Sequence, residues 1–489
     1  MKRLSAILLG AISVCTLCSA SAAQDKPNFI VFLTDDQGYN DVGCFGSPNI
    51  RTPNLDRMAQ EGMRFTSAYV GSPVCGPSRS ALMTGSYPMR IAEPNNTKAL
   101  HTVPHTKELM IPEILKGAGY TSALIGKWHA GQTQTQGDPL SQGFDYFFGT
   151  PRFNGFTKLI GDTTVRTPLM RNREVFIEKV QQKEMDQLTT LYTEEAIKFM
   201  TDNREKPFFL LLSHNMPHVP LGVSDRFRGK SQGGLYGDVI EELDWSLGEI
   251  QKTLKTLDLD KNTLLIFISD NGPWIEDVIG DHAGHADPLR GAKMKSWEGG
   301  PRVPCIMRWP GKIPAGKESD AIMTTMDLLP TFSQLAGTEL PADLVIDGKD
   351  LAPLLTGNSA VSPHTYYYYY CYTHLQAIRD ARWKLVLPRP AKPEWMGWWA
   401  RMIDEVKAIE LYDLDADVAE TNNVARQHPD VVARLMKQIE AARTELGDAG
   451  TIGSGARFFD KGVKRPGMAA YHRETTGRTK MDVKKSGHL

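Results

Sequence analysis

Several short clusters in this chain hold residue types that anion chemistry needs. Asp35-Asp36 stands in Leu33-Thr34-Asp35-Asp36-Gln37-Gly38, and Asp270-Asn271 in Ser269-Asp270-Asn271-Gly272. Three carboxylates and an amide offer only hard oxygen ligands, which suit Ca2+ or Mg2+ and serve zinc poorly. A single Asp at a strand end is ordinarily a turn or a helix cap. Two adjacent pairs shift the reading to a metal. Lys127 and His129 lie in Gly126-Lys127-Trp128-His129, His218 in Pro217-His218-Val219-Pro220, and Lys293 in Gly291-Ala292-Lys293, ahead of Trp297-Glu298-Gly299-Gly300. Such cations offset the charge of an anionic ester, and a histidine beside them can move a proton. A last run, Cys75-Gly76-Pro77-Ser78-Arg79-Ser80-Ala81-Leu82-Met83-Thr84-Gly85, sets a cysteine before a helical stretch. An isolated Cys–Arg pair of this kind would be a reactive or structural cysteine.

These clusters need a frame that brings them together. Asn28–Leu33, Thr121–Ile125, Phe208–Leu212 and Thr263–Ile268 are short apolar runs rich in strand formers. Helix patterns lie between them: Pro112–Ala118, Leu188–Met200, and Val239–Leu257 with Val239, Leu243, Leu247 and Ile250 on one face. This alternation predicts an α/β fold, a mostly parallel sheet with helices on both faces. Ligands collect at the carboxyl ends of strands in such sheets. Asp35-Asp36, Lys127 to His129, His214 to His218 and Asp270-Asn271 all fall there. Near residue 360 the pattern changes: Thr365–Tyr372, Leu375–Ile378 and Trp383–Leu387 read as successive strands, followed by a helix over Asp430–Leu446. We expect a catalytic unit over 24–360, a smaller antiparallel sheet with one helix over 361–450, and a basic extension over 451–489.

The run from Cys75 to Gly85 resembles the signature of the type I sulfatases, whose Cys-x-Pro-Ser-Arg cysteine is oxidised after translation to formylglycine. Asp35, Asp36, Asp270 and Asn271 resemble that family's calcium site, with Mg2+ as an alternative. Lys127, His129, His218 and Lys293 resemble its remaining site positions. The likeness runs from about residue 27 to 445, takes in Glu410-Leu411-Tyr412-Asp413-Leu414, and points to the arylsulfatase A-like, N-acetylgalactosamine-6-sulfatase-like branch. It implies an alkaline-phosphatase-like large mixed sheet with a smaller carboxyl-terminal one. It also implies a partner, the formylglycine-generating enzyme.

The chemistry implied by this resemblance begins with hydration of the aldehyde at 75 to a geminal diol. One hydroxyl, activated by the metal with Asp270 as base, attacks sulfur while Arg79, Lys127 and Lys293 offset negative charge. His218 protonates the departing sugar oxygen. The second hydroxyl then loses its proton towards His129, and collapse expels sulfate. A thiol has no second hydroxyl, so unconverted Cys75 should give a nearly inactive protein.

Composition bounds the alternatives. The 489 residues carry 56 Lys plus Arg against 57 Asp plus Glu, a net charge of −1, without the basic excess of a nucleic-acid binder. A 41% hydrophobic content supports a sizeable core. Met1-Lys2-Arg3, the apolar run Ala6–Leu17 and Ser21-Ala22-Ala23 read as a signal peptide over 1–23, so an exported, periplasmic or secreted bacterial protein is expected. No later stretch is apolar enough to span a membrane. Past that leader four cysteines remain, Cys44, Cys75, Cys305 and Cys371, too sparse for a disulfide scaffold. Cys305, inside the apolar run Val303–Trp309, reads as a core residue. The stretch 451–489 has nine Lys/Arg against three Asp/Glu and reads as a solvated tail.

Substrate signals are weaker. His282 and His285 precede Lys293 and could face the substrate or simply solvent. Arg90, His101 and His105 are candidates for a second sulfate. Trp395, Trp398 and Trp399 suit sugar faces, yet equally suit packing of a loop. Export and these tryptophans favour a sulfated polysaccharide or oligosaccharide, an algal galactan such as carrageenan first and a glycosaminoglycan next. Two other classes remain: a phosphonate or phosphodiester hydrolase of the same superfamily, and a non-catalytic binder of anionic glycans.

Overall fold

The computed structural model describes residues 26–91, 107–131, 137–152, 167–392, 400, 402–448 and 451–457. The proposed leader, His101, His105 and the 393–399 tryptophans lie outside them.

The large sheet has ten strands: β1 (Asn28–Thr34), β2 (Met63–Phe65), β3 (Thr121–Gly126), β4 (Tyr146–Gly149), β5 (Leu169–Arg171), β6 (Glu174–Ile177), β7 (Phe208–Ser213), β8 (Thr263–Ser269), β9 (Cys305–Arg308) and β10 (Lys317–Ser319). Their order is β10-β2-β9-β8-β1-β7-β3-β4-β5-β6. The central run β8-β1-β7-β3-β4 is parallel. Antiparallel pairings bring in β9 and β2 on one side, and β5 and β6 on the other. The four strands expected from the sequence are the central ones. The others, three or four residues long, carry too few alternating positions to announce themselves.

Side chains alternate across a strand, so each central strand feeds two cores. Ile30, Phe32, Leu210, Leu212, Leu265 and Phe267 pack with α-helices Leu188–Asp202 and Gly234–Thr256 through Tyr192, Val239, Leu243, Leu247 and Ile250. Phe29, Val31, Leu33, Phe209, Leu211, Leu264 and Ile266 pack on the opposite face with Leu328, Leu329 and Phe332 of the helix Leu328–Ala336. Each such side chain contributes about 1.5–3 kcal/mol by leaving water. This burial on both faces explains why the strands read as unbroken apolar runs. Cys305 is wholly buried in the second core, as expected. Among the described residues all four cysteines are free.

A second sheet, β11 (Tyr367–Cys371), β12 (His374–Arg379), β13 (Trp383–Val386) and β14 (Glu410–Asp413), is antiparallel throughout. The helix Pro429–Glu445 belongs to its core through Val431, Leu435, Ile439 and Ala442. That core also takes Ala81 from the helix that begins at Cys75, so the small sheet packs directly behind the signature. The expectation of a solvated tail from 451 fails at its start. Thr451–Ile452 pairs with Gly447–Asp448, and Arg457 sits 2.7 Å from the buried Glu108. No helix among the described residues is long and apolar enough to cross a membrane.

Candidate active site

Strand register brings the clusters to one edge. Leu33 pairs with Ser213, Thr34 with Ser269 and Gly126 with Ser213, so three neighbouring strands and the first all end level. Gly126 makes this possible: its φ is +113°, and a Cβ there would lie 1.8 Å from Ser213 O. The next residue in each chain segment is therefore a neighbour of the others. Asp35, Lys127, His214 and Asp270 emerge side by side, and the Lys127 N–H donates to Ser213 O at 2.7 Å.

The helix Cys75–Thr84 arrives at this edge with every residue buried and ends at Gly85, φ +64°. Cys75 lies at its first position, where helix N–H groups favour negative charge. One turn on, Arg79 reaches across: Nε donates to Asp270 Oδ2 at 2.8 Å, and Nη1 to Lys127 O at 3.0 Å and Ser213 Oγ at 2.5 Å. Lys127 Nζ stands 2.5 Å from Asp35 Oδ2, and Lys293 Nζ 2.5 Å from Asp36 Oδ1. Asn271 Nδ2 donates to Asp36 Oδ1 at 2.7 Å, and His218 Nε2 is 3.6 Å from Asp36 Oδ2. Asp36 itself holds φ +67°, which an aspartate tolerates better than most residues. Ligating atoms of Asp35, Cys75 and Asp270 all lie within 4.8 Å of one another.

Burial sets the protonation of this cluster. It pushes the Cys75 thiol up, Lys127 and Lys293 only partly opposing, so the thiol itself is a poor nucleophile. It pushes the His218 imidazole well below its usual range, Asp36 opposing and Lys293 and Lys127 adding to the fall. His218 Nδ1 lies 2.6 Å from Val219 O, which can only accept, so Nδ1 carries the hydrogen and Nε2 is the working nitrogen. Asp270 is raised, by burial first and Asp35 next, against the pull of Arg79. Lys293 is held above its ordinary value because Asp36 and the other anions outweigh burial.

The donors fit a hard divalent cation. Asp35 Oδ1 and Asn271 Oδ1 are buried without a hydrogen-bond partner among the described residues. Such orphaned oxygens are costly unless a cation takes them.

The outlying candidates fare differently. Arg90 is buried, and its guanidinium is spent on Asp347 and Glu445, each at 2.8 Å, and on Gly455 O at 3.0 Å. It ties the carboxyl-terminal strap and the helix Pro429–Glu445 to Asp347. His285 is half-exposed with Nδ1 3.3 Å from the buried Asp41, which also accepts from Tyr236 at 2.5 Å. No hydrogen bond or ion pair joins His282 or His285 to the carboxylate cluster among the described residues. The sequence reading missed Ser213 and Trp274; the Trp274 ring stands 5.8 Å from that of His218 and 4.7 Å from Lys293 Nζ. A tryptophan two residues after Gly272 was the available signal.

Comparison with known proteins shows the family. The Sulfatase family model matches residues 27–338, and that of the N-sulphoglucosamine sulphohydrolase C-terminal region matches 293–445. The chain is 37% identical to steryl-sulfatase of Homo sapiens over 73% of this chain and 74% of that one. It is 32% identical to N-acetylgalactosamine-6-O-sulfatase of Bacteroides thetaiotaomicron, over 91% of this chain and all of the other. The solved structure of Ps i-CgsB in complex with k-i-k-neocarrahexaose superposes with a TM-score of 0.73 at 28% identity, covering 94% of this chain and 99% of that one. The chain belongs to the sulfatase family, enzymes that hydrolyse sulfuric esters. Its two sheets are the alkaline-phosphatase-like arrangement that the resemblance implied.

Proposed function

We propose that this enzyme removes sulfate from a galacto-configured sugar of an anionic polysaccharide or oligosaccharide, carrageenan first, using formylglycine made from Cys75 and a calcium ion. The observation that carries the reading is the convergence of Arg79, Lys127 and Lys293 with three carboxylates around Cys75. Two relatives support the sugar: one named for N-acetylgalactosamine 6-O-sulfate, one solved with neocarrahexaose, each aligned over most of this chain.

Asp35, Asp36, Asp270 and Asn271 would hold the calcium ion. When bound, that ion would supply positive charge that offsets the negative charge of the sulfate ester. Formylglycine hydrate supplies an oxygen nucleophile in place of a thiol.

The chain's own residues do the rest. Arg79, Lys127 and Lys293 neutralise the sulfate oxygens. Asp270, whose carboxylate lies beside position 75, accepts the proton of the attacking hydroxyl. His218 is neutral when free, and the entering anion favours its charged form, so Nε2 acquires the proton it delivers to the leaving sugar oxygen. His129 takes the proton that release of sulfate requires. Residues 1–23 address the enzyme outside the cytoplasm, where polymeric substrate is met, and a formylglycine-generating enzyme converts Cys75 beforehand.

The test is sulfate release from carrageenans, other sulfated galactans and chondroitin sulfates by protein supplied with calcium and shown by peptide mass to carry the aldehyde. Release from a galactan supports the reading. Release only from chondroitin sulfates moves the substrate to glycosaminoglycans. Silence on all, with phosphonate or phosphodiester turnover, overturns it.

A further inference from the structure

The loop carrying Lys293 is gripped by the small sheet through buried charge. Lys384, in β13, is wholly buried, with Nζ 2.8 Å from Ser296 O, 3.1 Å from Glu298 Oε1 and 2.7 Å from Glu420 Oε1. Glu420 Oε2 accepts the Glu298 N–H at 2.7 Å. Ser296 Oγ bonds Gln376 Oε1, while Asp404 accepts from Trp297 Nε1 at 2.8 Å and Lys295 Nζ at 3.0 Å. Four consecutive residues, 295–298, are thus anchored by side chains from beyond residue 370.

The other end of the segment is fixed to the catalytic side. Lys293 N–H donates to Pro273 O at 2.7 Å, and Met294 N–H to Pro73 O at 2.9 Å, two residues before Cys75. Between these anchors Lys293 reaches Asp36. The far anchors therefore set where its ammonium can go.

Charge this deep is expensive, and well-packed apolar residues often serve stability as well or better. Glu298 is nevertheless satisfied on all sides by Lys384, Arg302 at 3.2 Å, and the hydroxyls of Tyr69 and Tyr369. Burial acts to raise its carboxyl, but Lys384, Arg379 and Arg302 overcome this and hold it low. What such a cluster provides is one fixed geometry for the loop.

We propose that Lys384 is a positioning residue for Lys293: the small sheet, through Lys384, Glu420 and Asp404, sets the reach of a cation that works on the sulfate group. This rests on the sulfatase reading of Lys293.

A double-mutant cycle tests it. Lys384→Met, which leaves the length of the side chain, should lower kcat/KM at least about tenfold alone, yet less than about twofold in a Lys293→Ala background. A purely structural role would instead multiply the two losses. Should Lys384→Met fail to fold, Asp404→Ala removes the acceptors of Trp297 and Lys295 without stranding a fully buried charge, and the same non-additivity is expected. Crystal structures of either variant give a second readout independent of turnover: Lys293 should leave Asp36 while Lys127 stays on Asp35. Multiplying losses, unchanged kcat/KM, or an unmoved Lys293 would overturn the proposal. A wild-type protein that releases no sulfate would overturn the sulfatase reading instead, and the crystal geometry would still decide whether the grip positions Lys293.

Discussion

Arg79 Nε donates to Asp270 Oδ2 at 2.8 Å across 191 residues of sequence. That bond joins the helix carrying Cys75 to the end of β8, where the carboxylate cluster begins. A helix N-terminus and a parallel sheet edge thereby become one site. The same guanidinium bonds Ser213 Oγ and Lys127 O, so a single residue registers three strand ends against Cys75.

Replacing Cys75 with Ala should abolish sulfate release, by at least about 10⁴-fold, because nothing else at the position can supply the nucleophile. Thermal stability should change by no more than about 1 kcal/mol, since only one heavy atom is removed from the side chain. Activity assays beside thermal melts check both halves. Full turnover by protein whose peptide mass shows an unconverted thiol would contradict the account.

Arg90 gives the opposite pattern. Its removal strands Asp347 and half-exposed Glu445. Arg90→Met should cost about 3 kcal/mol of stability in urea unfolding while KM moves less than about twofold. A KM rise without loss of stability would restore it as a substrate contact.

Much of the site was legible because strand ends advertise themselves. Apolar runs such as Asn28–Leu33 stop at polar residues, and parallel topology puts those stops at one edge. Arg90 shows that proximity in sequence to Cys75 does not give direction: six positions past Thr84 and beyond the turn at Gly85, its guanidinium meets Asp347 and Glu445. Lys384 was invisible for a related reason. A lysine inside Trp383-Lys384-Leu385-Val386 reads as the outward position of a half-exposed strand, and only the packing of the two sheets turns that face inward. The docking of Arg457 on Glu108 spans 349 residues and has no local signal.

Calcium should stabilise as well as activate. Asp35 Oδ1 and Asn271 Oδ1, buried without a hydrogen-bond partner among the described residues, gain a ligand bond when a cation binds. At a hundredfold excess over Kd the gain is about 2.7 kcal/mol. Chelation should lower both the melting midpoint and sulfate release, and calcium should restore them; in Asp35→Asn the calcium-dependent rise in midpoint should vanish. A midpoint indifferent to calcium in the wild type would argue against the site.

His214 should make stability fall in acid. Its ring is buried against Phe32 at 4.6 Å, and burial pulls its pKa down to about 3. Unfolded histidine titrates near 6.5, so between those values only the unfolded chain binds the proton. The contribution is intact above about pH 6.5 and is lost progressively as pH falls towards 3; at pH 5 the loss is about 2 kcal/mol. Urea unfolding at pH 7 and pH 5 should show a shallower decline in His214→Gln than in the wild type. Equal declines would place the acid sensitivity elsewhere.

The central claim is that a solvent-derived oxygen attacks sulfur and leaves the sugar's C–O bond intact. Hydrolysis of a sulfated galactan in water enriched in oxygen-18, by protein with confirmed formylglycine, tests it directly. The account predicts label in the released sulfate and none in the exposed sugar hydroxyl. Label in the sugar hydroxyl with unlabelled sulfate would mean cleavage at carbon, and would contradict it.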